Sequence, residues 1–136
     1  MEFNEALTAL LMGDEGLRVV VGQDIHWMVQ PRSGVSLPYV NLQRVSDPID
    51  YHSLGESDLR QTRVQVDIWA ETYSTALRAD SLLRRAVSGF RGVKGEVNFR
   101  LIRVENARDL TDKTAGAESQ LFRISMDLEI SWKMET

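Results

Sequence analysis

Twelve residues near the C-terminus constrain the fold more than any others. Phe122, Ile124, Met126, Leu128, Ile130 and Trp132 are apolar, and Arg123, Ser125, Asp127, Glu129, Ser131 and Lys133 between them are polar. Successive side chains of a strand point to opposite faces, so this run is a strand with one face on a core. Its other face meets solvent or a partner. Such a strand needs neighbours beside it and a layer over its apolar side.

The rest of the chain supplies both. Val64, Val66 and Ile68 alternate with Arg63, Gln65, Asp67 and Trp69. Tyr39 to Ser46 has strand composition and begins after Pro38, which cannot donate to a ladder. Val97, Phe99 and Leu101 mark another strand, which the pattern continues to Val104. Ile25 to Val29 suits a short strand. Phe3, Ala6, Leu7, Leu10 and Leu11 fit a helix with one buried face, stopped by Gly13-Asp14-Glu15-Gly16. Leu17 to Val21 reads as a helical turn or a brief strand. A longer helix follows Thr72, a plausible N-cap, with Tyr73, Ala76, Leu77, Ala79, Leu83, Ala86, Val87 and Phe90 as its apolar stripe. Arg84, Arg85 and Arg91 sit at its C-terminal end, where the dipole favours cations. Residues 47–59 and 106–119 read as polar loops. The predicted fold is α+β: a single antiparallel or mixed β-sheet of about four strands, near 39–46, 62–70, 96–104 and 121–133, with two main helices packed on one face. One domain over residues 1–136 accommodates it.

Composition narrows the function. No apolar run approaches the roughly 20 residues that cross a bilayer, so no membrane contact is expected. Met1-Glu2-Phe3-Asn4-Glu5 lacks the basic start of a secretory signal. There are no cysteines, which removes disulfides, thiolate catalysis and cysteine-held zinc. The net charge of −4 gives no global footprint for nucleic acid. Asp47, Asp50, Glu56 and Asp58 lie in one stretch without a base, and the remainder holds 16 acids against 16 bases. The whole net charge therefore sits in that segment.

No catalytic, cofactor or metal residues emerge. His26 and His52 have no ligand partner at helical spacing. Gly89-Phe90-Arg91-Gly92-Val93-Lys94-Gly95 is glycine-rich, but it runs from helix to strand, the reverse of a phosphate cradle, and reads as a C-cap and turn. Ser33, Ser53 and Ser88 lack a nucleophile elbow. The acids of 47–58 lack the aromatic platform of a sugar site. Trp132 continues the apolar face and belongs to the core. Trp69 falls opposite Val64, Val66 and Ile68, either under a loop or in a subunit interface.

Taken in order, several segments resemble the tail-completion family of tailed phages and prophages. They are Ala6-Leu7-Thr8-Ala9-Leu10-Leu11, Asp14-Glu15-Gly16-Leu17, Leu37-Pro38-Tyr39-Val40, Arg44-Val45-Ser46-Asp47 and Arg63-Val64-Gln65-Val66-Asp67-Ile68-Trp69-Ala70. Tyr73, Ala76 and Leu82 follow, then Gly89-Phe90-Arg91-Gly92, Arg108-Asp109-Leu110 and Ile130-Ser131-Trp132. Order and spacing carry the likeness, since each piece alone is ordinary strand or helix grammar. The family includes tail-to-head joining proteins and is related to tail terminators of long-tailed phages and gene transfer agents.

The resemblance implies a structural protein and not an enzyme. It implies a ring, usually a hexamer, at the head-proximal end of the tail in a virion or phage-like particle assembled in the bacterial cytoplasm. Its partners would be copies of itself, the tail tube protein and a head–tail connector or stopper. DNA would pass through the channel without specific binding. On that reading Asp47, Asp50, Glu56 and Asp58 face the channel or the tube, and Trp69, Arg63 and Asp67 lie at a subunit interface. The alternative is a small α+β nucleic-acid-binding or regulatory module of a prophage, which would show a continuous basic patch.

Overall fold

The computed structural model describes residues 2–28, 37–48, 51–52, 55–56, 59–112 and 121–135. Helix α1 (Phe3–Met12) buries Phe3, Ala6, Leu7, Leu10 and Leu11, the stripe its spacing predicts. The Glu5 carboxylate accepts the backbone N–H of Glu2 at 3.2 Å, tying the first turn.

Residues 15–21 are a helix, not a turn or strand. In α2 (Glu15–Val21) the Asp14 carboxylate accepts the Leu17 N–H at 2.8 Å and restarts the helix that Gly13 had ended. Gly22, at φ 62°, closes it. Leu17 and Val21 reach the core while Val19 is exposed.

The main sheet has six strands in the order β1-β2-β5-β8-β7-β6. They are β1 (Ile25–Trp27), β2 (Tyr39–Ser46), β5 (Arg60–Ala70), β6 (Gly92–Lys94), β7 (Val97–Asp112) and β8 (Leu121–Met134). Strands β1 and β2 run parallel and every other pairing is antiparallel, so the sheet is mixed. The four expected strands form its centre. Of the two edge strands, β1 falls within the short strand expected at Ile25 to Val29, and β6, only three residues long, shows no period in the sequence.

Two loop assignments need correction. Within residues 47–59, β3 (Tyr51–His52) and β4 (Gly55–Glu56) form a two-stranded antiparallel hairpin. The expected loop at 106–119 is strand as far as Asp112. A shift in register between Glu105 and Arg108, with Asn106 at φ 54°, breaks the alternation there. A bulge reverses the facing of every later side chain, so the segment lost its strand signature. Residues 113–120 lie outside the described residues.

Helix α3 (Tyr73–Val87) starts at Thr72, whose side chain accepts the Thr75 N–H at 3.2 Å. All three helices contribute to one apolar cluster with Val64, Val66 and Ile68 of β5 and Met126, Leu128, Ile130 and Trp132 of β8. Register explains the shared face: Val64 lies opposite Leu128, Val66 opposite Met126 and Ile68 opposite Ile124. At roughly 1.5–3 kcal/mol per buried large apolar side chain, this layer holds the domain together. Among the described residues, the sheet's other face carries no helix.

Candidate assembly surfaces

The helix-free face is built by the odd positions of β5 and β8 and their neighbours. Arg63 lies opposite Glu129, Gln65 opposite Asp127, Asp67 opposite Ser125 and Trp69 opposite Arg123. On the other side of β8, Arg103 faces Glu129, Glu105 faces Asp127 and Arg108 faces Ser125. Register thus sets Arg63 and Arg103 on either side of Glu129, while Glu105 and Asp127 face each other and are neutralised by the arginines around them.

Arg63 is the hub. Its guanidinium lies 2.9 Å from Glu129, 3.1 Å from Glu105 and 3.3 Å from Asp127. Burial works against its charge, but Glu129, Glu105 and Asp127 together outweigh that and hold its pKa above the usual arginine value. Arg103 adds a contact to Glu105 at 3.5 Å, and Asn106 donates to Asp127 at 3.2 Å. Further along, Arg123 Nε lies 3.1 Å from Asp67, which also accepts from Gln65 at 3.0 Å. Among the described residues, Arg63, Arg103, Arg108 and Arg123 on this face each lie within 4.0 Å of a carboxylate.

Trp69 is only 5% exposed. Its ring stacks on Tyr39 with centroids 6.4 Å apart, and the Arg123 guanidinium lies 5.2 Å from its centroid. The exposure that its outward position suggested is therefore taken up within its own subunit. Burial, then the nearby Asp67, push the Tyr39 phenol upward, against the opposing pull of Arg123.

The acidic segment divides. Asp47 lies 2.8 Å from Arg60 and 3.6 Å from Arg44, and accepts the Thr62 hydroxyl at 2.9 Å. Thr62 in turn accepts the Trp132 indole N–H at 2.9 Å, and Arg60 sits 5.3 Å from the Trp132 ring centroid. Asp47 is thus a structural corner between β2 and β5. Sequence distance hid this: no base lies inside residues 47–58, but Arg44 and Arg60 flank them. Glu56 lies in β4, and Asp50 and Asp58 are outside the described residues.

A third surface went unread in the sequence. Ser74, Arg78, Ser81, Arg85 and Ser88 follow helical spacing along the outer side of α3, and all are exposed. The acid of this helix, Asp80, points the other way and holds Arg84 at 2.9 Å. Among the described residues there is no group of three His, Cys, Asp or Glu able to hold a metal ion, and no helix long and apolar enough to cross a membrane.

A mixed sheet with helices on one face and an ion-paired opposite face defines the class: an α+β protein. The tail completion protein gp17 family matches residues 5–132, and the chain belongs to it. It is a structural protein of the tail of a phage or phage-like particle. No curated protein matches its sequence. A solved chain from the virion of a native gene transfer agent particle shares the fold, with a TM-score of 0.74 at 16% identity over 96% of this chain and 94% of that one.

Proposed function

We propose that the chain forms a closed ring, most simply a hexamer, at the head-proximal end of the tail, where it caps the tail tube and joins it to the head connector. The observation that carries this is the tail completion family match over residues 5–132. The whole-chain likeness to a protein of a gene transfer agent virion supports the fold that the reading requires.

Within the ring, the helix-free face lines the channel. Duplex DNA presents a dense row of phosphates that free arginines grip. Here each arginine already faces carboxylates at 2.9 to 4.0 Å, so the wall offers little net attraction. DNA slides past without specific binding. Arg63 and Asp67, expected at a subunit contact, belong in this reading to the wall beside that contact, and Trp69 backs it from within the subunit. Asp50, Glu56 and Asp58 lie off the channel wall in this reading.

Deleting the chain from a producing cell tests the role. The expected products are filled heads separated from tails, with tubes of uncontrolled length. Particles of normal length and normal head attachment would overturn it.

A further inference from the structure

The α3 stripe is the counterpart of the pinned sheet face. Arg78 and Arg85 stand on it, and Arg91 follows beyond Gly89, all three exposed. Among the described residues none of them forms an ion pair. Serines at 74, 81 and 88 fill the remaining positions with small hydroxyl donors. Tyr73 and Leu77, each 41% exposed, flank the stripe with apolar surface. Arg85 also lies over α2, where a Cβ at Gly16 would meet its guanidinium at 3.2 Å, so glycine at 16 leaves room for it. The exposed acids on these elements are Glu15 of α2 and Glu71, ahead of α3.

A closed ring of identical subunits needs two different surfaces that fit each other, because the contact is head-to-tail. The chain supplies both charges. Outside residues 47–58 its acids and bases balance at 16 each, and Asp47 is taken by Arg60 and Arg44. Asp50, Glu56 and Asp58, in a stretch without a base, oppose Arg78, Arg85 and Arg91 in sign.

We infer that the Ser/Arg stripe of α3 docks the acidic segment of residues 50–58 from a second copy of this chain, forming the repeating contact of the ring. The inference rests on the ring reading above. Complementary charge sets partner orientation and speeds encounter. Tyr73 and Leu77 add the apolar area that holds the contact once made.

The test uses the full chain, at high concentration and low salt, with ring content read by electron microscopy and mass photometry. Arg78→Glu with Arg85→Glu is expected to reduce rings at least about tenfold while leaving the melting temperature unchanged, since both side chains are exposed. Adding Asp50→Lys, Glu56→Lys and Asp58→Lys to that variant inverts both halves of the contact and is expected to restore rings. Because the chain has no cysteine, Ser81→Cys in one tagged copy and Asp58→Cys in another report proximity directly: a short bis-maleimide should join the two copies. Rings that persist undiminished in the doubly reversed variant would overturn this contact and leave the ring intact as a reading. A wild-type chain that forms no ring, alone or in particles, would remove both. Loss of duplex DNA binding in the reversed variant, with rings unaffected, would assign the stripe to nucleic acid and overturn the contact.

Discussion

The two faces of this domain treat arginine in opposite ways. On the helix-free sheet, Arg63 is shared by three carboxylates and Arg123 is held by a buried Asp67. On α3, Arg78 and Arg85 project from a stripe with no acid on it. The difference follows from local geometry. Cross-strand pairs in a sheet are fixed by register, so a cation opposite a carboxylate is bound in place. An outer helix stripe draws its partners mainly from i±3 and i±4 positions, and around Arg78 and Arg85 those hold serine, threonine, leucine and glycine but no acid. The first arrangement ties each cation down within the subunit; the second leaves charge on the surface.

The sharpest break in the comparison lies within β8 itself. Leu128 is fully buried and Glu129, the next residue, joins the ionic face. Leu128→Asp places an unpaired charge in the core at a cost comparable to the whole stability of such a domain, about 5–15 kcal/mol. Chemical denaturation should find it unfolded. Glu129→Leu removes one of three partners of Arg63, and we expect a loss of about 1 kcal/mol. If Glu129→Leu unfolded the chain while Leu128→Asp melted normally, the assignment of the two faces would be inverted.

Next in size is Asp67→Ala, which strips Arg123 of its buried partner. We expect about 3 kcal/mol, visible as a large drop in the denaturation midpoint. Arg78→Ala, on the stripe, should stay within about 0.5 kcal/mol. Equal effects would erase the distinction between pinned and free arginines.

Asp47 separates from its acidic neighbours in the same way. Asp47→Asn weakens its bonds to Arg60 and Thr62, and about 1–2 kcal/mol should be lost. Glu56→Gln is expected to leave the melting temperature unchanged while altering assembly. A neutral Asp47→Asn would show the corner to be ornamental.

The smallest effect concerns Tyr39. Its folded pKa is raised, so the unfolded chain releases the proton first. The associated stability is fully present below the ordinary tyrosine value near 10 and is lost as pH rises above it. Tyr73, raised by its hydrogen bond to Asp109, contributes with the same sign. Tyr39→Phe also removes a buried hydroxyl with no partner among the described residues. It should hold the neutral-pH stability and lessen the alkaline loss, as measured by melting from pH 8 to 11.

Much of this was legible from residue order. The strict alternation of 122–133 and of 63–69 gave the central strands and their faces, and the spacing of Phe3 to Leu11 gave α1. Three-residue edge strands carry no period, so β1 and β6 were not both visible. The bulge at Glu105 to Arg108 disguised the second half of β7. Of the site, the family resemblance located the role, and the acidic segment stood out in the charge count. What failed was pairing over distance. Nothing local reveals that Asp47 closes on Arg60, that Trp69 is roofed by Arg123, or that Arg63 gathers carboxylates from β7 and β8. Those contacts exist only once the register is set.

The proposed ring turns its pinned sheet face to the channel and its α3 stripe to the next subunit. A cryo-electron microscopy reconstruction of the head–tail junction of the assembled particle tests it most directly. We expect a closed ring of this chain, with Arg63, Asp127 and Glu129 turned to the channel and Arg78 and Arg85 at each subunit boundary. A junction without such a ring, or a ring with α3 facing the DNA, would contradict it.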